Sequence, residues 1–167
     1  MPKKSNHFSI LALDTATEAC SVALLTKAGL ISQFEIAPRR HAELILPMIE
    51  QVLEQAQMPL SFVDALAFGR GPGSFTGLRI AASVTQALAF AADLPVIPIS
   101  SLAAIAMQTM TENSVDKVAV AIDARMNEVY WGLYQYDSEQ GLKSLVNECV
   151  CSASEVPLAD INQQNWS

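Results

Sequence analysis

The junction Gly69-Arg70-Gly71-Pro72-Gly73-Ser74-Phe75-Thr76-Gly77 constrains this chain more than any other stretch. It separates an apolar strand-like run, Ala65-Leu66-Ala67-Phe68, from a long apolar helix-like run that opens near Thr76. Glycine tolerates positive φ and close backbone approach, and proline fixes the turn. Ser74 and Thr76 are residue types that cap a following helix. Such a strand–loop–helix junction points free N–H groups outward, toward an anion or an abutting backbone. It is not a Walker loop, which needs Gly-Lys-Ser/Thr. Here Thr76 is followed by Gly77, and the nearby cations are Arg70 and Arg79. Nor is it a dinucleotide fingerprint, because Gly69, Gly71 and Gly73 alternate strictly. Taken alone, a turn that lets strand and helix pack closely ranks ahead of phosphate binding.

Composition narrows the function classes. The chain has 167 residues, enough for one ordinary domain or two small lobes. With 51% hydrophobic and 16% charged residues it should bury a core rather than stay disordered. Only 10 Lys and Arg stand against 17 Asp and Glu, which argues against a broad nucleic-acid face. Arg39, Arg40, Arg70 and Arg79 leave room for a small local patch. Lys3 and Lys4 precede an apolar run that is broken at Asp14, which is not a secretory pattern. No apolar segment is expected to span a bilayer, and Thr76–Ala92 comes closest. Three scattered cysteines suit a reducing cytoplasm. Cys149-Val-Cys151 places two thiols on one strand face. With no third ligand in view, two partly buried strand residues are expected there rather than a metal site.

Phe8–Leu13, Ser21–Leu25 and Leu30–Ile36 read as an antiparallel meander. His41–Gln57 reads as a helix in which Pro47 either kinks the axis or marks the true first turn. Ala65–Phe68, Thr76–Ala92 and Val96–Ile99 follow as strand, helix and strand. Ser100 or Ser101 then caps a helix to about Met110. The order β-β-β-α-β-α-β-α predicts an α/β ribonuclease-H-like lobe, the unit of the actin, sugar-kinase and Hsp70 superfamily, over residues 1–110. Residues 111–167 predict a partial second lobe: strands at Val118–Ile122 and Glu128–Tyr134, a turn at Asp137–Gly141, and a short helix over Val156–Asn162. Ile10-Leu-Ala-Leu-Asp14 and Ala119-Val-Ala-Ile-Asp123 form a weak internal repeat, each a buried strand ending in aspartate.

Asp14, Gly71, Gly73, Ser74 and Thr76 form the candidate nucleotide- or anion-binding set. For Asp14 the plainer role is a carboxylate that caps the Thr15–Glu18 turn. Asp123 and Arg125 invite a local salt bridge. His41, beside Arg40, either binds an anion or satisfies backbone at the helix start. Ser74 and Thr76 have no visible general base and read as caps rather than nucleophiles. The long helices carry the stronger signal. Ile80, Val84, Ala87 and Ala91 lie on one side of the second, and Leu88 on another. In the first, Leu44 and Met48 lie off the Ile45/Ile49/Val52 stripe. A helix apolar nearly all round must bury a second face. Leu44, Met48, Val52, Ile80, Val84, Ala87, Leu88 and Ala91 are therefore the expected partner or dimer interface.

Four segments together resemble the TsaB (YeaZ) family. They are Ile10-Leu-Ala-Leu-Asp-Thr-Ala-Thr17, Arg40-His41 with Leu46-Pro47, Gly71-Pro-Gly-Ser-Phe-Thr-Gly-Leu-Arg-Ile80, and Ala121-Ile-Asp-Ala-Arg125 with Val129-Tyr-Trp131. The resemblance covers nearly all of the chain. It implies a non-catalytic scaffold of the bacterial tRNA threonylcarbamoyladenosine machinery that supports its catalytic paralogue TsaD. The catalytic paralogue carries a metal through two histidines four apart on a helix. Here His41 is followed four residues on by Ile45, and the other histidine is His7, so neither catalytic nor metal residues are expected. ATP and the metal would belong to partner subunits. The implied partners are a TsaD-like paralogue, a TsaE-like ATPase, a second copy when alone, and tRNA only through the complex, in the cytoplasm and away from membranes. Family members usually continue past residue 167, so the second lobe looks truncated. Rival readings are an ATPase or phosphotransferase using Asp14, Ser74 and Thr76, and a metallopeptidase, which the missing second histidine disfavours.

Overall fold

The structure is a computed structural model that describes residues 8–157. Contacts divide the chain into two compact units, Met1–Ile99 and Ser100–Ser167.

The first unit is a five-stranded sheet with two helices on one face. In chain order it comprises β1 (Ile10–Asp14), β2 (Ala19–Thr26), β3 (Gly29–Ile36), α1 (His41–Gln55), β4 (Ala65–Gly71), α2 (Phe75–Ala92) and β5 (Val96–Ser100). The spatial order is β3-β2-β1-β4-β5. β1, β2 and β3 pair antiparallel, and β4 pairs parallel to β1 from Ile10↔Ala65 to Leu13↔Phe68. A parallel neighbour needs a crossover, and α1 supplies it. Side chains alternate across each strand, so Leu11, Leu13, Val22, Leu24 and Leu66 share one face and form the core with α1 and α2.

The burial of α1 corrects the sequence reading. His41, Ile45, Met48, Ile49 and Val52 are all buried. Their spacing is that of one broad apolar stripe on a helix, and the whole stripe faces the sheet. Met48 and Val52 are therefore core residues and unavailable to a partner, while Leu44 is half-buried against the same core. Pro47 lies inside α1 and exposed, without ending the helix. The helix stops at Gln55, two residues early, where the chain turns through left-handed Gln57 (φ 51°).

The second unit holds α3 (Ser101–Asn113), β6 (Lys117–Arg125), β7 (Glu128–Asp137), β8 (Gly141–Ser144) and β9 (Cys149–Ser152). β7 is central. β6 pairs along one edge, while β8 and β9 pair in turn with the C-terminal and N-terminal halves of the other. Leu102, Ala106 and Met110, at i, i+4 and i+8 of α3, pack on Val118, Val120 and Tyr134. The boundary thus falls before α3 rather than after it, because the apolar stripe of α3 matches the second sheet. The unit also has one strand more than expected, β8, and Tyr134 Oη donates to Glu148 Oε1 (2.6 Å) across the segment between β8 and β9. The helix expected over 156–162 lies almost wholly outside the described residues.

The internal repeat has a structural counterpart. Asp14 Oδ1 accepts the Ala16 N–H at 2.8 Å, and Asp123 Oδ1 accepts the Arg125 N–H at 2.8 Å. Asp14 closes the turn after β1, and Asp123 bonds across the bulge at the end of β6. The salt bridge expected between Asp123 and Arg125 is replaced by this backbone contact.

Neighbouring residues of α1 test the packing. Ile45 is 1% exposed and Leu46 49% exposed. Ile45→Ala should cost about 2–5 kcal/mol in urea unfolding. Leu46→Ala should stay within about 0.5 kcal/mol.

Candidate functional site

Two features compete for the role of site: the glycine-rich junction and the outer face of the α1–α2 pair. At the junction β4 runs to Gly71, which has φ +92° and rests against the Leu78 side chain. A Cβ on Gly73 would lie 2.5 Å from the Ala16 carbonyl oxygen, and one on Gly77 would overlap the Thr15 carbonyl oxygen. A side chain on Gly69 would overlap the Asp14 carboxylate. Glycine is required because the β1–β2 turn abuts the loop directly. Hydrogen bonds lock the contact. The Ser74 N–H donates to Ala16 O at 2.7 Å, and Thr15 Oγ1 donates to Gly77 O at 2.6 Å in a buried bond.

The nucleotide candidates can now be placed. Asp14 lies beside Gly69 and caps its own turn, while Gly73 and Ser74 abut Ala16. Ser74 is the N-cap of α2, and its Oγ accepts the Gly77 N–H at 3.4 Å. Thr76 sits exposed in the first turn of α2 and caps nothing. The Ser74 and Gly77 N–H groups already have acceptors within the chain. The geometry fits the abutting-backbone reading. His41 is buried at the start of α1 and its Nε2 has no partner among the described residues. Arg40 instead pairs with Glu35 (3.2 Å) and Glu43 (3.5 Å), and Ile45, where a second metal-binding histidine would stand, is in the core.

The second feature is built by α2. By length and composition this helix alone among the described ones could cross a membrane. It is instead a layer of the first unit: Gly77, Ala81 and Thr85 are buried, and Ile80, Val84 and Leu88 pack half-buried on the core. The rest of its apolar surface is open, including Ala87, Ala91 and Phe90. Between α1 and α2 runs a groove of about 330 Å³, walled by Ala42, Ile45 and Leu46 on one side and Thr76, Arg79, Ile80, Ser83 and Val84 on the other. At its end the Arg79 guanidinium lies 4.1 Å from the centroid of the exposed Phe75 ring.

Of the expected interface residues, Ala87 and Ala91 are exposed, Ile80, Val84 and Leu88 are half-buried against the core with Ile80 and Val84 also lining the groove, and Met48 and Val52 are inside the core. Ala42, Leu46, Ser83 and the Phe75–Arg79 pair were missed. Leu46 carried a readable signal: a large apolar residue four positions after Ala42 and off the buried stripe.

Comparison with known proteins places the chain. The family model for TsaD, tRNA N6-adenosine threonylcarbamoyltransferase, matches residues 30–164. The chain is 47% identical over 156 residues to a Haemophilus influenzae protein named tRNA threonylcarbamoyladenosine biosynthesis protein TsaB, covering 89% of this chain. The Escherichia coli protein of the same name is 50% identical over 133 residues, covering 80% of this chain. The chain belongs to this family, in its TsaB (YeaZ) branch. YeaZ from Pseudomonas aeruginosa shares its structure with a TM-score of 0.81 at 51% identity, over 86% of this chain and 67% of that one. The chain spans 66% of the length of the Haemophilus relative and 57% of that of the Escherichia relative.

The junction gives a graded test by urea unfolding. Gly77→Ala, which forces a methyl into the Thr15 carbonyl, should cost about 1–3 kcal/mol. Ser74→Ala should cost about 1 kcal/mol through the lost cap. Thr76→Ala should stay within about 0.5 kcal/mol.

Proposed function

We propose that this chain is the non-catalytic scaffold subunit of the tRNA threonylcarbamoyladenosine system, and that it holds a TsaD-like catalytic paralogue on the α1–α2 face. The observation that carries the reading is the outer side of α2. Small and apolar residues follow one another there at Ile80, Ser83, Val84, Ala87 and Ala91, beside the exposed Leu46 of α1. Exposing such a stripe costs free energy, and burying it against two further helices recovers it. Small residues let helices approach closely, which suits a four-helix contact across a subunit boundary. An interface of ordinary size buries about 1,600 Å² in total. The relatives' names supply the biochemical setting.

In this reading the two units are ribonuclease-H-like lobes of the actin type, with the β3-β2-β1-β4-β5 sheet as the first. The chain supplies no catalytic or metal-binding residues. ATP and a metal are handled by the partner subunits, and a TsaE-like ATPase and tRNA join through the complex, in the cytoplasm. When no paralogue is present, a second copy takes the same face. Arg79 is the one cation lining the groove, so the partner's matching surface should carry a carboxylate opposite it.

Ala87→Glu and Leu46→Glu put a charge on exposed positions of the face. Both should leave the unfolding midpoint nearly unchanged, lower affinity for a TsaD-like partner at least tenfold by calorimetry, and fail to restore the modified nucleoside in a strain lacking the scaffold. Unchanged affinity together with a normal nucleoside profile would contradict the proposal.

A further inference from the structure

β3 is an outer strand of the first sheet, and among the described strands it pairs with β2 alone. Its run Gly-Leu-Ile-Ser-Gln-Phe-Glu-Ile holds no proline and no lysine, and its register with β2 is unbroken from Ala19↔Ile36 to Thr26↔Gly29. Those features matter because sheets guard their edges with proline, lysine, bulges or shortness. The opposite edge of the same sheet is guarded: β5 has five residues, and Pro98 removes a donor from it. β3 has eight residues and leaves a row of backbone N–H and C=O groups open along its free side.

The side chains of β3 are as open as its backbone. Ile31 packs on the core, so Leu30, Phe34 and Ile36 share the sheet face turned away from α1 and α2. They are 65%, 66% and 61% exposed, and Leu25, across from Leu30 on β2, is exposed beside them. Charge does not oppose a partner here. The strand's one charged residue, Glu35, has its carboxylate 3.2 Å from the Arg40 guanidinium. Water satisfies the open backbone groups in the single chain, so they set the direction and register of an added strand. The apolar side chains supply the driving force.

We propose that β3 is a strand-addition edge whose occupant is the β3 of a second copy, joined antiparallel across a twofold axis. A row of open strand donors and acceptors is matched by another extended segment, and the sequence of β3 matches itself. With the axis at Gln33, Leu30 stands across from Ile36 and Ser32 across from Phe34 on the outer face, while Gln33 meets its own copy on the inner face. An axis at Ser32 would leave Ile36 opposite the turn residue Ala28. The Gln33 register therefore uses all three apolar side chains. Such a contact is isologous and closes at two copies. A single strand edge is small beside an ordinary interface of about 1,600 Å², so the dimer forms and dissociates with concentration. The edge is separate from the α1–α2 groove, and the proposal does not rest on the scaffold role.

The test is sedimentation velocity on the full chain carrying Ala87→Glu, which keeps association through the α1–α2 face out of the measurement. The expected result is a monomer–dimer equilibrium, with the dimer dominant at high micromolar concentration. Adding Phe34→Lys, at an exposed position, should weaken the dimer at least tenfold with unchanged circular dichroism. Directly opposed Cα atoms of an antiparallel pair lie about 4.5–5.5 Å apart, within disulfide range. In a Cys149→Ser, Cys151→Ser background, Gln33→Cys should therefore form an intermolecular disulfide, while Lys27→Cys in the hairpin turn should not. A chain that stays monomeric through the high micromolar range, a dimer indifferent to Phe34→Lys, or equal cross-linking from positions 27 and 33 would overturn the proposal. If Phe34→Lys folds poorly, the two cysteine variants decide.

Discussion

The first unit depends on one close contact, the seating of the Thr15–Ala16 turn in the glycine-rich junction. The buried hydroxyl of Thr15 holds Gly77 O, and Ala16 O holds the Ser74 N–H. These bonds fix where α2 starts relative to β1, and so set its height on the sheet and the rotation of its side chains. A buried backbone group without a partner is costly, so each bond fastens the helix twice over: it forms a link and forestalls an orphan. The glycines make the approach possible. They serve the fold before they serve any ligand.

That rotation decides the surface. With Gly77, Ala81 and Thr85 turned inward, the Ile80–Val84 stripe and Ala87 must face along the sheet toward α1 and outward. The helix is apolar enough to be buried on every side, yet one layer of sheet covers only part of it. An open apolar stripe lies beside the junction. A site of chemistry and a site of assembly want opposite things from a loop: free donors in the first case, satisfied donors in the second. Here Ser74 and Gly77 have theirs satisfied.

Much of this was legible in the sequence, for physical reasons that can be named. The alternation in Ile10–Leu13, the Gly-Pro-Gly punctuation and the Ser100 cap each act locally, so the elements and their order could be read from residues alone. The Asp14 turn was legible for the same reason, since an aspartate bonds an N–H two residues on. Faces were harder. Met48 and Val52 look like surplus apolarity on paper, but the sheet beneath α1 is wide enough to bury Ile45, Met48, Ile49 and Val52 together. Leu46 was overlooked because one exposed leucine is ordinary until the groove beside it is known. The position of α3 depends on Val118, Val120 and Tyr134, which are distant in sequence, so nothing local could assign it. The short β8 escaped notice because its four residues show no clear period.

Hydrogen exchange on the chain with and without a TsaD-like paralogue tests the central claim most directly. The account predicts new protection in α2 from Thr76 to Ala91 and in α1 around Ala42–Leu46, with little change on β9. Protection that appears only outside these two helices, or none at partner concentrations that saturate binding, would contradict it.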